Sequence, residues 1–448
     1  MKQQTYCFWN PASFFVVLCL LFTTPILRGQ TIYTGSANGD WLTPSNWSNG
    51  LPAVGNEPTI VGGTIVCING TVTLNYGVTN FGSIINKGTT TLSGSINSGG
   101  TLENQGTFSI NLAATMTSSG GFTNSGTFTN NGTDNCSGIF NNESGGRLES
   151  AATINLSGRI NNKLGATITS SFRFNILANG YVSNFAQFTN ANMIDIALGG
   201  TYCNETLSIL TGQFGSAIVN AGYFKIASSS TVTTNGTITN ARKFDIYGTY
   251  DAMGGGQIIN SDILCNYGLV KNVNIINNSG VWKNFGTTEN NSGGVWTNTN
   301  KIENNTGALI SNFYEIFNKP AATIVNNGAI LNGVRLFNEG TVTNNASFIT
   351  TGDVLNKIGG VFINTGVLVV REGSIQNEGT LTNQNTLTNE ACAIISNKAG
   401  ATINNTGLLE NKGIIFQRGI LTGNAVVETN GYTQGLIALQ KAFRLRSE

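Results

Sequence analysis

Apolar and polar residues alternate along most of the chain in short runs separated by turns. Past residue 80 one phrase recurs: an apolar residue, any residue, then Asn, usually with Gly two or three positions later. Phe122-Thr123-Asn124, Phe128-Thr129-Asn130, Ile238-Thr239-Asn240, Trp282-Lys283-Asn284, Trp296-Thr297-Asn298, Leu336-Phe337-Asn338 and Leu381-Thr382-Asn383 are examples. A period of two predicts strands, and it turns the apolar residue and the Asn toward the same side. The Thr, Ile, Val and Phe that fill the phrase suit strands, and Asn-x-Gly supplies the turn. No stretch of helical period with caps interrupts the series. Short strands repeated at a fixed interval predict a solenoid.

The C-terminal third lets the register be written out, with three strands to a coil. One corner runs Asn298, Asn318, Asn338, Asn356, Asn377, Asn397, Gln417, in steps of 20, 20, 18, 21, 20 and 20. Two places earlier stand Trp296, Ile316, Leu336, Val354, Ile375, Ile395 and Ile415. A second side takes Ile324, Val342, Phe362, Leu381 and Ile403, and a third Ile310, Ile330, Phe348, Leu368, Leu387 and Leu409. Every member of the three stacks is apolar. The residues after the first-corner Asn alternate in sign, Lys319, Glu339, Lys357, Glu378, Lys398, as stacked neighbours would to avoid repulsion. The expected fold is therefore all-β: a single-stranded parallel β-helix of about 18 coils, on the order of 85 Å long at ~4.8 Å per coil. Steps of six over 326–356 would also suit a left-handed hexapeptide helix, but the steps of seven and eight elsewhere favour the right-handed form. Inward Asn side chains are expected to pair coil over coil, because an unpaired buried amide costs about 1–3 kcal/mol. That structural reading is preferred to N-glycosylation at the many Asn-x-Thr/Ser triplets.

Composition narrows the chemistry. Of 448 residues 63 are Asn and 57 Gly, charged residues are only 10%, and histidine is absent. Without histidine there is no Ser-His-Asp triad, no Cys-His dyad and no His-ligated metal. With 23 basic and 22 acidic residues the chain offers no clustered positive field for nucleic acid. Cys67, Cys136, Cys203, Cys265 and Cys392 lie at least 62 residues apart, so no CxxC motif exists and the thiols are expected to serve as small buried hydrophobes, not stacked on one another.

The two ends differ from the repeat. Residues 1–29 have the form of a secretory signal: Lys2, the apolar run Phe14–Phe22, and small Gly29 before Gln30. Leu18 before Cys19 argues against lipidation, and the apolar run is shorter than the ~20 residues of a membrane span. Residues 30–62 hold Tyr33-Thr34-Gly35, Trp41, Asn46-Trp47, Gly50-Leu51-Pro52 and Gly55–Ile60, and are expected to cap the first coil against edge pairing. This segment resembles the opening module of many secreted bacterial surface proteins, with Tyr33 in place of the usual Trp and Asn56 in place of Asp. The repeat over 63–424 is similar in style to filamentous-haemagglutinin-type β-helical adhesins. That resemblance implies a surface-displayed, adhesin-like protein, but names no ligand. Residues 425–448, with Leu436–Arg446 mixed apolar and basic, are expected to form a C-terminal cap or tail.

Candidate sites are few. Polysaccharide-active β-helices need acids converging on one face. The best group here is Asp245, Asp251 and Asp262 with Arg242 and Lys243, read as a surface loop before a catalytic or metal site. Trp282 and Trp296 could offer sugar platforms, yet both sit in the apolar position of the phrase and are expected in the core. Thr71-Val72-Thr73, Thr231-Val232-Thr233 and Thr341-Val342-Thr343 resemble the Thr arrays of ice-binding solenoids, but are expected to share no fixed side. Gly254-Gly255-Gly256 lacks the strand-then-helix setting of a nucleotide cradle. The sequence thus points to a secreted or outer-surface structural, adhesin-like solenoid without catalytic activity, cofactor or metal. Its expected partners are surface glycans or components of a host or neighbouring cell, with no nucleic acid and no transmembrane segment. The alternatives are a non-catalytic glycan-binding module, which requires outward aromatics, and a polysaccharide-active enzyme, which requires converging acids.

Overall fold

The computed structural model describes residues 29–435; residues 1–28 of the signal-like segment and Leu436–Arg446 lie outside them. Three parallel sheets of 21, 20 and 19 strands stack into a β-solenoid of about 19 turns. A 3₁₀ turn at Pro44–Asn46 is the one helical element among the described residues. None of those residues forms a helix long and apolar enough to cross a membrane. The chain visits the sheets in rotation: sheet 1 opens with Gly29–Ile32, sheet 2 with Gly39–Asp40 and sheet 3 with Thr71–Leu74. Nearly every strand has four residues, and its second and fourth point inward. Coils continue past residue 424, through Val426–Glu428 and Tyr432–Gly435.

The register predicted for the C-terminal third is the one observed. Ile316 pairs with Leu336, Leu336 with Val354, and Asn318 with Asn338. The second and third apolar stacks are likewise in register, as at Val342–Phe362 and Phe348–Leu368. Two of the alternating charges close on their neighbours, Lys319 to Glu339 at 3.5 Å and Lys357 to Glu378 at 3.4 Å. These pairs are half exposed and contribute under about 1 kcal/mol each.

The inward Asn form ladders of one polarity. Asn318 Nδ2 donates to Asn338 Oδ1 at 2.8 Å and to the Thr341 carbonyl at 3.1 Å; Asn338 repeats this toward Asn356 and Val361. Each amide thus spends both N–H groups on the coil above and its oxygen on the coil below, which removes the desolvation penalty of burying it. The first Asn of a ladder has no coil below to donate to it. Asn220, Asn266 and Asn272 solve this locally, accepting the backbone N–H of Gly222, Gly268 and Asn274 at 3.1–3.2 Å. Asn389 does not, nor does the isolated Asn80 below Ser98, and the Oδ1 atoms of both are buried without a partner.

All five described cysteines are free. Cys136 joins the core, whereas Cys203 faces outward beneath Tyr181, whose hydroxyl donates to its Sγ at 3.4 Å. No two stand on adjacent strands: Cys203 and Cys265 are three strands apart in sheet 2. Cys392 is exposed in a turn.

At the N-terminal end Tyr33, Trp41 and Trp47 pack edge to face with centroids 5.2 and 4.9 Å apart, and Trp47 Nε1 donates to the Trp41 carbonyl at 2.8 Å. Gly29–Ile32 covers the edge of sheet 1 through Asn56–Ile60, and Gly39–Asp40 covers that of sheet 2 through Ile65–Ile68. Among the described residues sheet 3 has no such cover: Thr71–Leu74 pairs with Thr89–Leu92 and with no strand on its other side.

Candidate functional surface

The acidic group read from the sequence is not assembled. Asp245 and Lys243 lie on the outer face of sheet 2, Asp251 on the outer face of sheet 3, and Arg242 and Asp262 in turns. They are close in the chain, but one coil of the solenoid distributes close neighbours over different sides. Of the five, Lys243 and Asp245 alone meet, at 3.0 Å.

Residues one coil away complete the cluster. Tyr223 precedes Lys243 in register, and its hydroxyl donates to Asp245 Oδ2 at 2.9 Å. Lys243 Nζ lies 5.1 Å from the Tyr223 ring centroid. Asp245 is 2% exposed, and its Oδ1 is buried without a partner. Burial first, then the hydrogen bond to Asp245, pushes the Tyr223 hydroxyl far above its ordinary range, while Asp245 raises Lys243. These groups hold one another in place. Paired carboxylates for acid–base work on sugars stand about 5–9 Å apart with room for substrate between them. Here the next acid on this face, Glu303, is three strands further on and bonded to Lys301. Among the described residues no group of three or more Cys, Asp or Glu could hold a metal ion.

Beside this cluster runs a feature the sequence analysis did not single out. Tyr247, Tyr267 and Phe285 occupy equivalent turns of successive coils and stack with centroids 4.6 and 4.8 Å apart and planes within 6°. Each is about 40% exposed. Their steps of 20 and 18 residues match the coil length, so the register extended to turns would have found them. Each ring covers its neighbour's face, and Lys225 lies 6.0 Å from the Tyr247 centroid. Tyr267 has a ring on each face, whereas a pyranose stacks on an open face.

Trp282 and Trp296 are core residues as expected. Both are 0% exposed, with centroids 4.9 Å apart. The three Thr phrases share no one side at one-coil spacing, as expected, but one of them belongs to a longer array. Thr341 and Thr343 are on sheet 2, but Thr71, Thr73, Thr231 and Thr233 share the outer face of sheet 3. There Thr71, Thr89, Thr107 and Thr127 form one file, and Thr73, Thr91, Ser109 and Thr129 a second, in consecutive coils. Arg147 and Glu149, paired to each other, interrupt both files at the next coil. The sequence hides this face because the marker Asn is absent there: the corner reads Leu74, Leu92, Ile110.

No protein-family model matches the chain, and no curated protein is significantly similar to it.

Proposed function

We propose that this chain is a secreted or cell-surface structural protein, adhesin-like and without catalytic activity, whose solenoid serves as a stiff spacer and contact surface. The observation that carries this reading is the continuity of the rod. Strand pairing runs from coil to coil, Asn ladders join long stretches of it, and on the sides Asp245 is bonded to Lys243, Glu303 to Lys301 and Glu315 to Arg335. A solenoid of this kind gives reach and a long lateral face instead of a cleft. The signal-like N-terminus and the likeness of residues 30–62 to bacterial surface proteins agree with export. The balanced charge speaks for neutral partners such as surface glycans or neighbouring-cell components.

Two measurements test it. Protease added to intact producing cells should degrade the protein, and beads coated with residues 30–448 should be retained on cells more than bare beads. A protein confined to the cytoplasm, or beads retained no better than bare ones, would refute the adhesin-like reading. Release of reducing ends from a polysaccharide panel would refute the non-catalytic one.

A further inference from the structure

The uncovered edge of sheet 3 opens into a cleft of about 300 Å³ between the N-terminal cap and the first coil. Trp41, Val72 and Tyr76 form its buried floor, and Leu42, Leu51 and Val54 its lips, exposed by 45%, 40% and 70%. The cleft lies where the sheet 3 strand of the capping coil would run. Between Gly39–Asp40 and Asn56–Ile60 the chain instead makes a 3₁₀ turn and the loop Gly50-Leu51-Pro52-Ala53-Val54. Pro52, which has no N–H, suits a loop that does not pair.

The strand Thr71–Leu74 therefore has one satisfied edge and one open edge. The N–H of Thr89 donates to the Gly70 carbonyl at 3.0 Å, and that of Ser93 to the Leu74 carbonyl at 2.8 Å. In a parallel ladder these bonds set the alternation: Gly70, Val72 and Leu74 face the coil above, and Thr71 and Thr73 face the other way. Among the described residues, the N–H and C=O groups of Thr71 and Thr73 have no partner. Four backbone groups at fixed spacing, an apolar floor and a lining without a charged side chain specify one kind of occupant.

We propose that this cleft is a strand-addition site, which captures an extended, uncharged peptide segment of another protein. The segment, about as long as the four-residue strand Thr71–Leu74, pairs its backbone with Thr71 and Thr73. An apolar side chain on its inner face packs on Trp41 and Val72. Main-chain bonds supply affinity, and the floor selects the side chain. This site is independent of the adhesin-like reading: it would operate on any rod capped in this way.

The test uses residues 30–448 and a labelled, end-blocked peptide Gly-Thr-Val-Thr-Leu, beside the same peptide N-methylated at alternate residues. Fluorescence anisotropy should show saturable binding of the first peptide only. Bound peptide should slow amide exchange at Thr71 and Thr73 by about tenfold or more. Thr73→Pro deletes an N–H that makes no bond within the sheet, and Val54→Asp places a charge on an exposed lip. Each should weaken binding by about tenfold or more, whereas Thr73→Val should bind as the parent does. Equal binding of the N-methylated peptide, absence of binding, or protection at other amides would overturn the proposal. So would Thr71 and Thr73 amides already protected without peptide, as by a second copy detected in sedimentation.

Discussion

The inward corner of sheet 1 has two halves. In its lower part the corner reads Asn80, Ser98, Ser118, Cys136, Leu156, Ile176 and Ile196; from Asn220 to Asn397 every coil places Asn there. Backbone pairing is the same throughout. The upper half adds a continuous amide ladder, while the lower half relies on small and apolar side chains and leaves Asn80 Oδ1 and Ser118 Oγ unpartnered. The lower half also holds an inward acid. Asp134 stacks between Met116 and Ile154, with Oδ1 unbonded, and burial pushes its carboxyl up to about 7. A parallel solenoid thus tolerates an interrupted corner, because the ladder supplements a sheet that is already complete.

The largest expected effect lies at Asp134. Its folded value exceeds that of the unfolded chain, so the unfolded chain releases the proton first. Stability contributed by the protonated group is therefore full below about pH 4, falls between about pH 4 and 7, and is flat above. Moving this carboxyl from its ordinary range to about 7 corresponds to a loss on the order of 4 kcal/mol. Asp134→Asn should abolish that slope, measured as urea midpoints from pH 4 to 8; an unchanged slope would place its origin elsewhere.

Next in size is the ladder itself. Asn318→Ala leaves one N–H of Asn298 Nδ2 and the Asn338 Oδ1 without a partner and should cost about 1–3 kcal/mol. Ser118→Ala, at the equivalent corner of the lower half, removes an oxygen that already lacks a partner and should cost under about 0.5 kcal/mol. Equal losses would mean that the amides act only as volume. Third, Ile226 and Ile246 separate two ladders of sheet 2, which end at Asn204 and resume at Asn266. Replacing either Ile by Asn should destabilise. The double replacement joins the ladders and should be less costly than the sum of the singles, by about 1 kcal/mol in a double-mutant cycle. Simple additivity would deny cooperation along the ladder. The smallest effect is expected at Lys319→Ala, under about 0.5 kcal/mol and vanishing in high salt, since its pair with Glu339 is exposed.

Much of this was legible in the residues. Leu336 between Ile316 and Val354, and Glu339 beside Lys319, follow from steps of about 20 residues once a strand period of two is accepted. The outer faces were less legible. Asp245, Asp251 and Asp262 invite grouping because they are near in sequence, yet in a solenoid the true neighbours are one coil away, as Tyr223 is for Asp245. The Thr files were obscured for a related reason, since their corner carries Leu and Ile and the marker that reveals the register is missing.

Alternation within strands and the coil-length repeat determined from the sequence alone which residues face inward and which stand above one another. Both follow from local backbone geometry, which every strand repeats. Tertiary structure alone decided two things. One is how exposed side chains settle, with Tyr247, Tyr267 and Phe285 closing on each other's faces instead of presenting them. The other is which edge the cap leaves open, because the course of the loop Gly50–Val54 depends on Trp41 packing against Trp47 and on strands formed far along the chain. Such contacts are singular, made once, and no repeat announces them.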